Sequence, residues 1–142
     1  MIIPDINLLV YAYNKRAPDH VAAKRWWEGL VNGLEPIGVP WVVSTGFVRL
    51  MTNPSVLASP VSPSAAIAHV RGWFQYPHVT PVNPSAEHLD HLQRNLVAAG
   101  VGATLVSDAH IAALAMEYQA EVHSNDSDFG RFPGLRWRNP LS

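Results

Sequence analysis

Three aspartates, Asp5, Asp108 and Asp126, lie where predicted strands end or a predicted helix begins, and Asp128 follows the last of them closely. The carboxyl ends of parallel strands meet at one edge of a sheet, so side chains far apart in the sequence are expected to converge there. Crowded carboxylates repel one another unless a cation lies between them. Oxygen ligands in a chain without cysteine favour Mg²⁺ or Mn²⁺. The pattern therefore predicts a divalent-metal site of the kind that handles phosphate.

Each aspartate also has a plain structural interpretation. Asp5 and Asn7 are residue types that favour caps and turns, and a carboxylate such as Asp108 is favoured in a first helical turn by the helix dipole. The polar turn around Asp126 and Asp128 suits solvent, and it is not an EF-hand loop because it lacks glycine at the sixth position and glutamate at the twelfth. In the functional interpretation, Asn7 orients Asp5 by a hydrogen bond, and Asp128 either shares the cation of Asp126 or supports it.

A single domain over residues 1–142 is what the length of the chain predicts. Hydrophobic residues make up 48% and charged residues 15%, as in an ordinary globular protein. The formal net charge of −1 provides no global basic field, so any contact with nucleic acid must come from a local patch. The absence of cysteine excludes disulfides and thiolate metal sites. No basic segment precedes the apolar N-terminus and no apolar run approaches ~20 residues, so we expect a cytoplasmic protein without a membrane span.

Short strands and helices alternate along the sequence. Strands are predicted at residues 1–4, 37–39, 79–80, 121–123 and 135–138. Helices are predicted at residues 21–31, 41–51 and 108–118, from the cap pair Ser62-Pro63, and from Asn83-Pro84 to a stop at Gly100, with Leu89, Leu92 and Leu96 inward. The alternation predicts an α/β protein with three α/β/α layers around a mostly parallel sheet.

Four segments of the chain resemble the PIN-domain ribonucleases of the VapC toxin type. They read IIPDINLLVYAY, GFVRLMTNP, SDAHIAALA and HSNDSDFGRFPGLRWRNPL, and they follow the order and spacing of that family over nearly the whole chain. The resemblance implies a PIN-domain-like fold in which carboxylates at the carboxyl edge of the sheet bind one or two Mg²⁺ or Mn²⁺ ions. Such ions activate water for attack on an RNA phosphodiester and stabilise the leaving oxygen.

The resemblance also assigns roles to residues of this chain. Asp5, Asp108 and Asp126 fall on the acidic positions of the family, which makes them the implied catalytic residues and metal ligands. Asp128 falls on a position that is acidic in some members and is the fourth implied ligand. Asn7 and Ser124 match supporting polar positions of the family. Apart from the resemblance, His110 lies two residues after Asp108 and could contact phosphate, but a structural or supporting role is favoured. Arg49 and Arg131 are candidates for contacts with RNA phosphates, although an arginine beside carboxylates can instead be a salt-bridge partner.

One departure from the family pattern affects the expected ligand set. Many PIN nucleases carry a glutamate on the helix that corresponds to residues 41–51, three residues before an arginine-like position. The matching stretch here is STGFVR and contains no acid. Thr45, Ser44 or water could take the place of the missing carboxylate.

The resemblance finally implies partners and leaves an alternative. VapC proteins are toxins that a VapB antitoxin neutralises, they usually form homodimers, and structured RNA such as tRNA or rRNA is the implied substrate. The missing glutamate motivates the alternative of a non-catalytic PIN-like module that binds RNA or protein. An aspartate-nucleophile phosphohydrolase fits less well, because Asn7 replaces its second aspartate and the only lysines are Lys15 and Lys24. The five tryptophans are expected in the core and at a dimer contact rather than in a base-stacking platform.

Overall fold

Five short parallel strands form the centre of the protein in a computed structural model that describes residues 1–100 and 102–142. The strands are β1 Ile2–Pro4, β2 Ile37–Pro40, β3 Val79–Val82, β4 Glu121–His123 and β5 Arg136–Arg138, and they lie in the order β3-β2-β1-β4-β5. Every neighbouring pair is parallel. Strands β1 and β2 are buried throughout, as expected for short apolar strands that are covered on both faces.

Within the described residues, six α-helices cover the sheet: α1 Ile6–Tyr13, α2 His20–Val31, α3 Trp41–Met51, α4 Pro63–Trp73, α5 His88–Ala99 and α6 Val106–Tyr118. Helices α1 to α4 contact one another, whereas α5 packs on α6. The chain moves from β1 to β3 in one direction across the sheet and returns past β1 to reach β4. Because parallel crossovers are right-handed, the two helix groups cover opposite faces. The predicted three-layer α/β fold is therefore confirmed, and all of its strands are parallel.

The core differs between the two faces. On the side of α1 to α4, aromatic rings interlock, with the Phe47 and Trp73 centroids 4.7 Å apart and those of Trp27 and Trp73 5.6 Å apart. On the other side, α6 contributes mostly small buried side chains, including four buried alanines. Small side chains let α6 lie close to the sheet. None of the described helices combines the length and apolarity that crossing a membrane requires.

Helices α1 and α6 both differ from the sequence prediction. Helix α1 was not predicted. It begins directly after β1 because the Asp5 carboxylate caps it, accepting a hydrogen bond from the Ile6 backbone N–H at 2.8 Å. Helix α6 begins at Val106 rather than at Asp108, which places Asp108 within its first turn.

The predicted start of a helix at Asn83-Pro84 was wrong, because α5 begins only at His88. The Tyr118 hydroxyl binds both backbone groups of Asn83, and Glu117 accepts the Ser85 N–H, so these residues are tied to the end of α6 instead of entering a helix.

The inward face of α5 also differs in part from the prediction. Leu89 is 72% exposed, whereas His88 and Asn95 are buried and Leu92 and Leu96 pack partly buried against the core. The Asn95 side chain donates to the Ala109 carbonyl, so a polar residue occupies part of the inward face. The predicted stop at Gly100 is confirmed by its left-handed conformation, with φ of 75°.

Candidate active site

The carboxyl ends of β1 and β4 lie side by side and carry the first part of the site. Pro4 is paired with His123, so Asp5 and Ser124 leave the sheet next to each other. The Asp5 N–H continues the ladder by donating to the His123 carbonyl at 2.9 Å. Asp5 is therefore fixed at the edge of the sheet by backbone pairing as well as by its role as helix cap.

The Ser124 side chain joins the two segments. Its hydroxyl donates to Asp5 Oδ2 at 2.8 Å and accepts from the Asp126 N–H at 2.9 Å. Ser124 is completely buried and Asp5 is only 5% exposed, so these hydrogen bonds are shielded from water. The indole of Trp137 donates to the Ser124 carbonyl at 3.0 Å and holds the segment from the side of β5.

Three further carboxylates converge beside this pair. One oxygen each of Asp108, Asp126 and Asp128 lies within 4.8 Å of the others. Asp108 comes from the first turn of α6, while Asp126 caps a short 3₁₀ turn, Ser127–Arg131, by accepting the Asp128 N–H at 2.9 Å. The convergence predicted from strand ends is thus present for the last three aspartates, with Asp5 adjoining them.

Electrostatics in this cluster oppose full ionisation. Burial raises the pKa of Asp108 to about 7, and the charges of Asp5, Asp126 and Asp128 add to the effect. Burial also raises the pKa of Asp5, although the hydrogen bonds from Ser124 and Ile6 lower it in part. Charges on Asp5 and Asp126 act on Asp108 directly, so the four carboxylates form one electrostatic unit.

A divalent cation fits the donor set that these residues provide. All donors are carboxylate oxygens, which hard ions such as Mg²⁺ and Mn²⁺ prefer. Among the described residues, the positive side chain paired with the cluster is Arg131, whose Nε lies 3.7 Å from Asp128 Oδ1 with both side chains about half exposed. A single exposed arginine contributes little against four carboxylates. The arrangement therefore leaves a concentration of negative charge that a bound cation would relieve.

Two other sequence-predicted residues, Asn7 and Arg49, form no side-chain hydrogen bond or ion pair with this cluster among the described residues. Asn7 is exposed in the first turn of α1, and the hydrogen bonds to the Asp5 oxygens come from Ser124 and Ile6 instead. Arg49 is exposed in the last turn of α3.

Neither candidate for the missing glutamate reaches the carboxylates. Thr45 donates its hydroxyl to the Trp41 carbonyl, and the Ser44 hydroxyl is buried without a hydrogen-bond partner in the described part of the chain. At Gly46, three residues before Arg49, a Cβ would lie 2.7 Å from Ile6 Cδ1, so Ile6 would have to shift before a side chain could fit there.

A hydrogen-bond network between α5 and α6 was not predicted from the sequence. His88 Nδ1 lies 2.8 Å from Glu117 Oε1, and His88 Nε2 lies 2.8 Å from His110 Nδ1. A carboxylate can only accept, so Nδ1 of a neutral His88 carries the proton and its Nε2 accepts from His110. Burial and the neighbouring His88 lower the pKa of His110. Although burial opposes it, hydrogen bonds from Ser85 and His88 hold the pKa of Glu117 below its usual value. His110 thus binds α5 rather than a carboxylate of the cluster.

Comparison with known proteins gives a consistent result. The PIN domain family model matches residues 2–135. Ribonuclease VapC37 of Mycobacterium tuberculosis is 44% identical over 140 residues, which cover 99% of this chain and 97% of that protein. Ribonuclease VapC33 of the same organism is 43% identical over 141 residues, or 99% of each chain.

Solved structures share the fold at lower identity. Mycobacterium tuberculosis VapC20, described as a sarcin-ricin loop cleaving toxin, matches with a TM-score of 0.69 at 18% identity over 96% of this chain and 99% of that one. VapBC2 from Rickettsia felis, bound to a DNA fragment from its promoter, matches with a TM-score of 0.65 at 22% identity over 98% of each chain.

Proposed function

The chain belongs to the PIN-domain family and to its VapC ribonucleases, and from this membership we propose that it is an endoribonuclease that depends on Mg²⁺ or Mn²⁺. The observation that carries the metal dependence is the group of three carboxylate oxygens within 4.8 Å of one another, contributed by Asp108, Asp126 and Asp128. Ionised carboxylates this close repel one another, and a bound cation would offset that repulsion.

We propose that Asp5, Asp108 and Asp126 are the catalytic carboxylates and that these three together with Asp128 hold the metal. A bound ion would lower the pKa of its water and stabilise charge on the phosphate oxygens. Ser124 orients Asp5 and the backbone of Asp126 at the same time, so both carboxylates keep a fixed direction before a cation arrives. Asp108 would have to give up its proton to hold a cation, because a carboxylate binds a metal in its ionised form and its raised pKa favours the protonated form.

The residues around the carboxylates suggest how RNA is held. Arg131 lies next to Asp128, and we propose that it contacts the phosphate next to the cleaved bond. Arg49, exposed on α3, is proposed to contact a phosphate farther along the strand. Asn7, exposed on the first turn of α1, can meet the substrate or a water of the site. His110 supports the site indirectly by fixing α6 to α5.

The proposed physiological role is that of the toxin in a toxin–antitoxin pair, acting on structured RNA such as tRNA or rRNA. A cognate VapB-type antitoxin would neutralise it, and a homodimer is the proposed assembly. Fold neighbours that were solved as VapBC complexes support the antitoxin partner.

Cleavage of total RNA by the purified chain, free of antitoxin, tests the proposal. We expect discrete fragments with Mg²⁺ or Mn²⁺ and none with EDTA. Asp5→Asn and Asp126→Asn should each reduce the rate by at least about 100-fold while the fold is retained. Asp90→Asn, which changes an exposed aspartate on α5, is the matched control and should cleave like the wild type. Cleavage that persists in EDTA or in both site variants would contradict the proposal.

The alternative of a non-catalytic binding module retains one specific observation in its favour. Gly46, packed against Ile6, stands where many family members supply a further carboxylate. If calorimetry detects no binding of Mg²⁺ or Mn²⁺ at millimolar concentrations, and no RNA is cleaved, the binding module becomes the better description.

A further inference from the structure

Acidic residues are absent from a long central segment of the chain. Residues 36–86 contain none of the eleven acidic residues but include Arg49 and Arg71, so their formal charge is +2. The rest of the chain carries a formal charge of −3, because eight basic residues there oppose all eleven acidic ones. The segment comprises β2, α3, α4 and β3. The formal net charge of −1 is thus the sum of a basic central segment and an acidic remainder that includes the candidate site.

This region begins next to the carboxylates. Strand β2 is parallel to β1 with Ile37 opposite Ile2, so Pro40 is level with Asp5 and Trp41 is the next residue. With strands about 4.8 Å apart and consecutive Cα atoms about 3.8 Å apart, the Cα of Trp41 lies within roughly 10 Å of that of Asp5. The start of α3 therefore lies at the same sheet edge as the candidate metal site.

Trp41 is unlike the other tryptophans of the chain. It is 51% exposed, whereas the other four are buried or half-buried. Its ring packs against Phe74, at the end of α4, with the centroids 5.9 Å apart, and it has no other aromatic neighbour among the described residues. One side of the indole is thus supported and much of the remainder faces solvent, which is the arrangement of an aromatic platform on which a base can stack.

Basic and polar side chains accompany this indole. Thr45 and Arg49 follow Trp41 at intervals of four on α3, and both are exposed. Arg71 precedes Phe74 by three residues on α4, so the two share a helix face. We define the α3–α4 surface by these five residues. Its charge is complementary to a phosphate backbone, and no carboxylate of residues 36–86 opposes that contact.

We infer that the α3–α4 surface binds the RNA strand beside the cleaved bond, with Trp41 stacking on a base and Arg71 contacting a phosphate. The inference rests on the proposed ribonuclease function, which supplies the RNA. Stacking is tolerant of sequence because every base has a π face, so Trp41 would contribute affinity more than strict base selection. An apolar protein partner would explain the exposed indole but not the absence of acidic residues from segment 36–86.

Equilibrium binding of fluorescein-labelled oligoadenosine, measured by anisotropy in EDTA, tests the inference without any cleavage. Trp41→Ala should weaken binding about ten-fold, whereas Trp41→Phe should keep most of the wild-type affinity. An abasic oligomer of the same length should bind wild type and Trp41→Ala equally, because it has no base to stack. Arg71→Gln should weaken both oligomers and reduce the salt slope of log K by about one. Leu34→Ala is the matched control, since Leu34 is 94% exposed and precedes β2 at the opposite sheet edge.

Cleavage kinetics and assembly complete the test. With Mg²⁺, Trp41→Ala should raise KM about ten-fold and leave kcat within about two-fold. If the wild type binds the oligomers as described but cleaves no RNA, the proposed function fails while the binding surface stands. If Trp41→Ala binds both oligomers like the wild type, the inference is overturned. It is also overturned if Trp41→Ala alters only the sedimentation of the protein, because the surface would then be a contact between protein chains.

Discussion

Ser124 has more influence on the site than its size suggests. One hydroxyl serves a carboxylate that follows the first strand and a backbone N–H that follows the fourth, and it is completely buried while doing so. It is one of two groups that offset the effect of burial on the pKa of Asp5. Without it, Asp5 keeps only the Ile6 N–H, and its charged form becomes less favourable.

Replacing Ser124 by alanine removes only the hydroxyl that binds Asp5 and the Asp126 N–H. We expect metal affinity to fall by about 10- to 100-fold and the free energy of unfolding by roughly 1–3 kcal/mol. Isothermal calorimetry with Mn²⁺ and chemical denaturation measure the two effects. Ser127→Ala, an exposed serine in the same loop, is the control and should change neither. Unchanged Mn²⁺ affinity in Ser124→Ala would show that the hydroxyl does not orient the carboxylates.

Asp108 makes the metal-free protein sensitive to pH. Its pKa is about 7 in the folded chain, against an ordinary value of 3.8. The folded state therefore binds this proton more tightly than the unfolded state, and stability falls as pH rises between these two values. Stability that depends on this proton is fully present below the lower value and is lost above the higher one. Binding of a cation at the proposed site would reverse the trend, because it requires the ionised carboxylate.

At the scale of elements, the contact between α5 and α6 controls how rigidly Asp108 is presented. The chain from Glu117 through His88 to His110 crosses this contact, and His88 is only 7% exposed. Each member satisfies a polar group that is otherwise shielded from water. The network therefore fixes the middle of α6, just after the turn that carries Asp108.

Removing the central histidine should loosen this contact. We expect His88→Ala to lower the free energy of unfolding by roughly 1–3 kcal/mol, since Glu117 and His110 each lose a partner. Hydrogen exchange should show faster opening of α5 and α6 than of β1 and β2. Gln93→Ala, an exposed change on α5, controls for loss of a side chain on the same helix. Equal stability of His88→Ala and Gln93→Ala would mean that the network adds nothing to the contact.

The elements also show where sequence reasoning succeeds. Short segments that contain Ile or Val indicate β1, β2 and β4, and Ser62 caps α4 through the Ala65 N–H as its type predicts. These are local signals. The start of α5 depends instead on Tyr118, which lies 35 residues after the Asn83 that it binds. No local pattern contains that contact.

The features of the candidate site also divide into those that the sequence predicts and those that depend on distant contacts. The ends of parallel strands could be predicted to bring aspartates together, because convergence follows from topology. That Ser124 rather than Asn7 holds Asp5 could not, because it depends on the register of Pro4 against His123. The half-exposed Trp41 was expected in the core or at a dimer contact, since exposure of one indole depends on how α4 packs beside α3.

At the scale of the whole molecule, acidic and basic residues are distributed unevenly along the chain. The acidic residues that converge at the edge of the sheet come from the two ends of the chain, whereas the central residues 36–86 have none. A cation bound by Asp5, Asp108 and Asp126 would join β1, α6 and the segment after β4. Binding of this kind stabilises the native state as a whole, because the unfolded chain has no such site.

Thermal unfolding should therefore respond to metal and pH together. Near pH 8, where Asp108 is ionised, saturating Mn²⁺ should raise Tm by several degrees, as about 2.7 kcal/mol is gained at a hundred-fold excess over Kd. Near pH 5.5 the rise should be much smaller, because the cation must displace a bound proton. Without metal near pH 8, Asp108→Asn should have a higher Tm than the wild type, because the disfavoured charge is gone. Mn²⁺ should raise the Tm of this variant only slightly. Asp90→Asn should follow the wild type under every condition. If Mn²⁺ raised Tm equally in wild type and Asp108→Asn, the ion would be bound elsewhere and the carboxylate cluster would not be the metal site.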